Sequence, residues 1–157
     1  MSILAYFLTW HTYGTWLHGE NQGSVDLAHN RFGTPFLQPD TSRLGDARRR
    51  MKQDPFVLTP PMRDVVDRAI QDHAAHRSWR TLALNVRSNH VHLGLDNFGR
   101  YAPERVMQQC KSWATRRLID AGHATSTTRV WSDHGSTRYI TTQESLARMV
   151  DYVLNQQ

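Results

Sequence analysis

The sequence predicts an α+β fold: a ferredoxin-like antiparallel sheet (βαββαβ) with two helices on one face and an additional C-terminal helix on the other. Three observations predict it. Strand-like and helix-like patterns follow one another as β-α-β-β-α-β-α, and the first six match the split βαβ arrangement. The two middle strands are joined by only "RSN", which suits a hairpin. The seventh pattern, a helix, is left over, and one sheet face lacks a cover without it. The 157 residues suit a single domain, spanning 1–157, with a long loop or insertion at about 19–58.

Each element has its own signal. Residues 3–10, "ILAYFLTW", are β-branched, aromatic and apolar, and read as a strand that ends before Gly14. The stretch from about 19 to 58 is dotted with Gly, Asn, Asp and Pro; a loop of this length is usually functional, and it can hold a short basic helix, "SRLGDARRRMKQD". Thr59-Pro60-Pro61 opens a helix with a hydroxyl cap and prolines where no N–H is missed. Met62, Val65, Val66, Ala69 and Ile70 give it an apolar stripe, and it is expected to end near Trp79. "TLALNV" (81–86) and "HVHLGLD" (90–96) are strands. Pro103 starts a helix with Val106, Cys110, Trp113, Ala114 and Leu118 on one side, and Gly122 stops it. "RVW" (129–131) and "TRYI" (137–140) read as short strands around "SDHGS". Thr141 and Glu144 form a T-x-x-E capping pattern before the last helix.

Strand phase decides where chemistry can sit. Alternate side chains face opposite ways, so Val91, Leu93 and Leu95 share one face while His90, His92 and Gly94 share the other. The apolar trio belongs against the two core helices. The histidines therefore face the side that only the last helix can cover. That helix has a stripe of Leu146, Met149, Val150, Val153 and Leu154. At about 100° per residue, Tyr152 and Gln156 lie about 40° apart at the margin of the stripe. Two imidazoles, a carboxamide and a phenol then converge.

Two neutral imidazoles and one oxygen ligand, with positions left open, make a catalytic rather than a structural metal site. Mg²⁺ or Mn²⁺ suits a phosphate substrate, and the phenol is a candidate nucleophile. H-x-H alone is equally a pair of half-exposed strand histidines; the conjunction of phase, uncovered face and remaining helix favours the site. His73 and His76 read as a solvated helix end. His134 could reach the rim of the site, and Tyr139 is a rival nucleophile whose direction the sequence leaves open.

Composition narrows the partners. A formal charge of +5 attracts polyanions, nucleic acid above all. Arg48, Arg49, Arg50 and Lys52 form one cluster; Lys111, Arg116 and Arg117 form a second on a helix, and Arg87 precedes the histidine strand. Clustered cations track phosphates. Trp16 and Phe36 are candidates for base stacking, whereas Trp113 falls on a core stripe. Cys110 is the only cysteine, which excludes an intramolecular disulfide and a Cys-based zinc site and fits a cytoplasmic location. No apolar run approaches the roughly 20 residues that span a bilayer, so no membrane partner is expected.

These residues resemble a known family. "NHVHLGL" resembles the HUH signature of single-tyrosine transposases, and "VDYVLNQ" the tyrosine helix that follows it. "LAYFLTWHTYGTWLHGE" and "VWSDHGSTRYI" are similar to the REP-associated tyrosine transposases, relatives of the insertion-sequence enzymes. The resemblance implies that His90 and His92 are paired metal ligands and that Gln156 is the third. It implies that Tyr152 cleaves single-stranded DNA at hairpins or palindromic repeats, leaving a 5′-phosphotyrosine and a 3′-OH, without ATP. Many REP-associated members carry an Asn-Pro after this helix and a further tail, whereas "LNQQ" follows here, and a frayed helix end would shift the third ligand to Asn155. The enzyme is expected to be a monomer or a homodimer. A relaxase with the same chemistry is a second reading, against which a lone tyrosine and a Gln argue. A non-catalytic ferredoxin-like nucleic-acid binder is a third, and it would need aromatics on the open sheet face.

Overall fold

A computed structural model describes residues 2–15 and 53–155. Among these residues the elements are β1 (Ala5–Thr12), α1 (Pro60–His76), β2 (Arg80–Val86), β3 (His90–Asp96), α2 (Pro103–Asp120), β4 (Trp131–Ile140) and α3 (Gln143–Asn155). The strands form one sheet in the order β2-β3-β1-β4, and every neighbouring pair is antiparallel. This is the expected α+β, ferredoxin-like arrangement.

Alternation on the two central strands builds the core. Leu8 and Trp10 of β1, and Val91, Leu93 and Leu95 of β3, are fully buried in one cluster with Val66 and Ile70 of α1 and Val106, Cys110 and Leu118 of α2. Each such aliphatic side chain contributes about 1.5–3 kcal/mol on leaving water. A second, smaller cluster lies on the other face, where Met149 and Val153 of α3 meet Ala5, Ala83 and Ile140. Gly94 makes that docking possible: a Cβ there would stand 2.5 Å from the Met149 sulfur.

Several local expectations need correction. β1 continues past Trp10 to Thr12, because its ladder to β3 runs on through His11, opposite His90. Thr59 stands at the start of α1 but makes no side-chain cap bond; Pro60 and Pro61 set the first turn. α1 stops at His76, and Ser78 takes a left-handed φ of 60° that turns Trp79 into the core. His73 is buried, not solvated: its Nε2 donates to Gln109 Oε1 of α2 at 2.8 Å. Trp113 is only half-buried, stacked on His73 with Arg116 over its ring. β4 is one ten-residue strand, not two short ones. Gly135 lies inside it, where a Cβ would strike the Thr9 carbonyl and Met107. The cap of α3 is Thr142, whose Oγ1 accepts from the Ser145 N–H, rather than Thr141. Leu154 is 52% exposed and leaves the apolar stripe.

Of the long segment at about 19–58, the described part packs against the domain. Gln53 exchanges two hydrogen bonds with the Arg129 backbone, and Leu58 is buried. The basic helix expected in "SRLGDARRRMKQD" lies outside the described residues, except for Gln53 and Asp54. Among the described residues no helix is long and apolar enough to cross a membrane.

Candidate active site

The sheet face opposite α1 and α2 carries a row of rings. β1 and β3 pair His11 with His90 and Thr9 with His92. The His90 and His92 ring centroids are 4.8 Å apart, and His11 lies 5.5 Å from His90 on the other side. α3 crosses this face and sets Tyr152 edge-on to His92, 5.5 Å between centroids at an interplanar angle of 77°. Phe7 completes the group, 5.6 Å from His92 and 6.1 Å from Tyr152. Tyr152 is 42% exposed, so its ring is packed on one side and open to a substrate on the other.

Each histidine of the pair is held by its Nδ1. His90 Nδ1 donates to Asn89 Oδ1 at 2.7 Å, and a 2.8 Å hydrogen bond joins His92 Nδ1 to Thr9 Oγ1. Such bonds fix ring orientation. Electrostatics suits the same role. Burial, followed by the neighbouring charges of His90, His11 and Arg87, lowers the His92 pKa to about 3. Burial, then His90 and Lys111, lowers that of His11 to about 4. Both rings are therefore neutral at physiological pH, the form in which an imidazole can ligate a cation. Among the described residues no group of three His, Cys, Asp or Glu side chains could hold a metal ion.

The C-terminal end of α3 is pinned to the sheet. Asn85 is paired with His92 across β2 and β3, and its Nδ2 donates to the Val153 carbonyl at 2.9 Å. Asn155 is exposed, and its Nδ2 donates along the helix to Asp151 Oδ1. Gln156 lies outside the described residues. Tyr139 is paired with Tyr6 and packs edge-on against its ring on the core-helix face. It is therefore on the opposite side of the sheet from the histidines. His134 is exposed on β4.

The cationic residues divide. Arg87 is half-buried, its N–H donates to the His90 carbonyl, and its charge reaches His92. Lys111 is buried, contrary to a role as a surface cation: its Nζ donates to the Ser132 carbonyl at 3.0 Å. It floors an open groove of about 510 Å³ between α2 and the start of β4, with Arg116 and Trp131 on the walls. Arg117 pairs with Asp72 of α1 at 3.5 Å, both side chains being exposed. Arg48, Arg49, Arg50, Lys52, Trp16 and Phe36 lie outside the described residues.

His11, Thr9, Phe7, Asn85 and Asn89 are site residues that the sequence reading missed. The signal for three of them was present: Phe7, Thr9 and His11 alternate at strand spacing, and ending the strand at Trp10 hid the last. Asn85 and Asn89 could be found only once the hairpin register was known.

Comparison with known proteins points one way. The sequence model of the family described as "Transposase IS200 like" matches residues 49–156, more than half of the chain. A crystal structure of a candidate transposase from Deinococcus radiodurans R1 is similar at a TM-score of 0.53 and 17% identity, covering 100% of this chain and 93% of that one. The structure of a REP-associated tyrosine transposase bound to a REP hairpin is similar at a TM-score of 0.50 and 11% identity, covering 98% of this chain and 67% of that one. At these identities the likeness is one of fold. No curated protein matches the chain.

Proposed function

The chain belongs to the IS200-like transposase family, and from that premise we propose that it is a metal-dependent transesterase that nicks and rejoins single-stranded DNA at hairpin or palindromic repeats. The observation that carries this reading is the approach of one tyrosine to one of two adjacent, Nδ1-anchored imidazoles. In this reading residues 1–157 form one catalytic domain. His90 and His92 would hold Mg²⁺ or Mn²⁺, with Gln156 as third ligand. When bound, the ion supplies Lewis-acid polarisation of a phosphoryl oxygen.

The remaining chemistry belongs to the chain. Tyr152 Oη gives up its proton to solvent and forms a bond to the phosphorus; the P–O3′ bond breaks, and the 3′ oxygen takes up a proton from solvent and leaves as a hydroxyl. The DNA is then joined to the protein as a 5′-phosphotyrosine, which keeps the phosphodiester energy for rejoining, so no ATP is consumed. Rejoining is the reverse: a 3′-OH attacks the phosphorus and the phenol departs. Thr9 and Asn89 keep the two rings in place, Phe7 supports the tyrosine ring, and Arg87 adds positive charge beside the phosphate. Trp16, Phe36 and the Arg48–Lys52 cluster serve DNA binding, with Arg116 lining the groove beside α2.

The test uses a hairpin-bearing single-stranded oligonucleotide with Mg²⁺ or Mn²⁺. The wild-type protein is expected to form a covalent adduct that survives denaturation. Tyr152→Phe should abolish it while binding is retained within about twofold, because a single hydroxyl adds little to binding that is dominated by phosphate contacts. Adduct formation undiminished in Tyr152→Phe contradicts the assignment.

A further inference from the structure

The turn between β2 and β3 carries the Asn89 side chain that anchors His90, and the turn itself is fastened from two sides. Arg87 donates its N–H to the His90 carbonyl at 2.8 Å, which closes the hairpin. Leu58 donates its N–H to the Ser88 carbonyl at 2.7 Å, and Thr12 donates its own to the Asn89 carbonyl at 2.9 Å. Asn89 thus links two things. Its backbone oxygen meets the end of β1, and its carboxamide oxygen accepts from His90 Nδ1 at 2.7 Å.

A pair of hydroxyls reinforces the first link. At the end of β1 the chain turns through Thr12-Tyr13-Gly14-Thr15, with Gly14 at φ 75°, as the third position of a type II turn requires. Tyr13 fixes this turn in the fold: its N–H donates to the Val130 carbonyl at 2.8 Å and its carbonyl accepts from the Phe56 N–H at 2.9 Å. The turn brings Thr12 Oγ1 and Thr15 Oγ1 to 2.8 Å. Each hydroxyl has one proton to give. If Thr12 donates to Thr15, the Thr15 proton is left for the Asn89 carbonyl at 3.3 Å or the Thr12 carbonyl at 3.0 Å. If Thr15 donates to Thr12, the Thr12 proton is left for the Asn89 carbonyl at 3.4 Å. In either direction the chain of hydroxyls can end on Asn89. Thr12 is fully buried, so its hydroxyl depends on these partners. Valine would fill the same space at the end of a buried strand, and a buried hydroxyl is disfavoured there unless its hydrogen bonds matter.

We propose that Thr12 and Thr15 are positioning residues for His90: their hydroxyls hold the Asn89 backbone in place, and Asn89 then keeps the imidazole proton on Nδ1. The consequence for catalysis rests on the proposed reading of His90 as a metal ligand, because a neutral imidazole protonated at Nδ1 carries its lone pair on Nε2. The threonines touch neither substrate nor reacting atoms. They act through Asn89, two links from the ring.

The test reads the ring directly. Long-range ¹H–¹⁵N correlation spectra distinguish the two neutral tautomers of each histidine; they are recorded at about pH 8, above the ordinary imidazole pKa of about 6.5, with the His90 signals assigned by their loss in His90→Ala. The wild-type ring is expected in the Nδ1–H form. Thr12→Val/Thr15→Val should move its tautomer ratio roughly 5-fold towards Nε2–H, the equivalent of one ordinary hydrogen bond, and Asn89→Ala should move it at least as far. Thr15→Val alone, at a half-buried position, should shift it the same way by roughly twofold, and Thr15→Ser, which keeps the hydroxyl, should restore the wild-type pattern. The His92 signals should stay where they are in all of these, since Thr9 holds that ring. A wild-type His90 in the Nε2–H form overturns the proposal. So does a ratio unmoved by the valine variants or by Asn89→Ala, and so does an equal shift at His92, which describes general loosening. The spectra need neither metal nor DNA: a protein that forms no covalent adduct would contradict the catalytic reading, while the ring signals would still decide what the two threonines do.

Discussion

Thr9 and Asn89 each hold one histidine by Nδ1, and they do so from different elements, a neighbouring strand and the hairpin turn. Partners of this kind typically change metal affinity 10- to 100-fold when removed. Thr9→Val keeps the shape and deletes the hydroxyl. It should weaken Mn²⁺ binding by about that factor, read by electron paramagnetic resonance, with little change in the circular-dichroism spectrum. Equal affinity in the variant would mean that the ring is oriented by packing alone. The depressed pKa values also have a consequence for stability. His92 and His11 titrate near 3 and 4 in the folded chain, against about 6.5 unfolded. Above about pH 6.5 neither state is protonated and the pair contributes no pH dependence. As pH falls from about 6.5 towards 3–4, the unfolded chain binds protons that the folded one refuses, so the metal-free protein should lose stability over that window. Thermal midpoints of the metal-free protein against pH check this; a midpoint that is flat or rises on acidification contradicts it.

At the scale of elements, α3 is the part that makes a site out of a sheet. It is held by Met149 against Gly94, by Val153, and by the Asn85 amide on the Val153 carbonyl. Gly94→Val should push Met149 outward and lift the helix, costing about 1–3 kcal/mol in denaturant unfolding and reducing adduct formation more than DNA binding. Gly94→Ala should cost less, since the thioether is the flexible end of its side chain. A Gly94→Val protein with wild-type stability and adduct yield would show that the contact is dispensable. Much of this arrangement was legible from period-two alternation in "HVHLGLD" and from the amphipathic last helix. What escaped was non-local. "SDHGS" looks like a turn, yet Gly135 is strand residue and close contact at once, because Met107 and the Thr9 carbonyl crowd it from other elements. His73 looks solvated from its helix alone, and only Gln109, 36 residues away, makes it a satisfied core histidine. Lys111 looks like a surface cation until Ser132 is folded onto it.

For the molecule as a whole, the division of labour follows from one sheet with two unlike faces. One face is spent on stability, with Leu8, Trp10, Val91, Leu93 and Leu95 buried against α1 and α2. The other carries a smaller apolar cluster, and α3 packs there and sets the Tyr152 ring beside His92. The fold class and the side of the sheet that carries the histidines follow from composition, order and phase; the outer ring of site residues needs the register between strands. The central claim is that Tyr152, and not Tyr139 on the opposite face, becomes joined to DNA beside His90 and His92. Mass spectrometry of proteolysed adduct tests it most directly: the account predicts a nucleotide-bearing peptide that contains Tyr152, whereas a modified peptide that contains Tyr139, or any residue of the core-helix face, contradicts it.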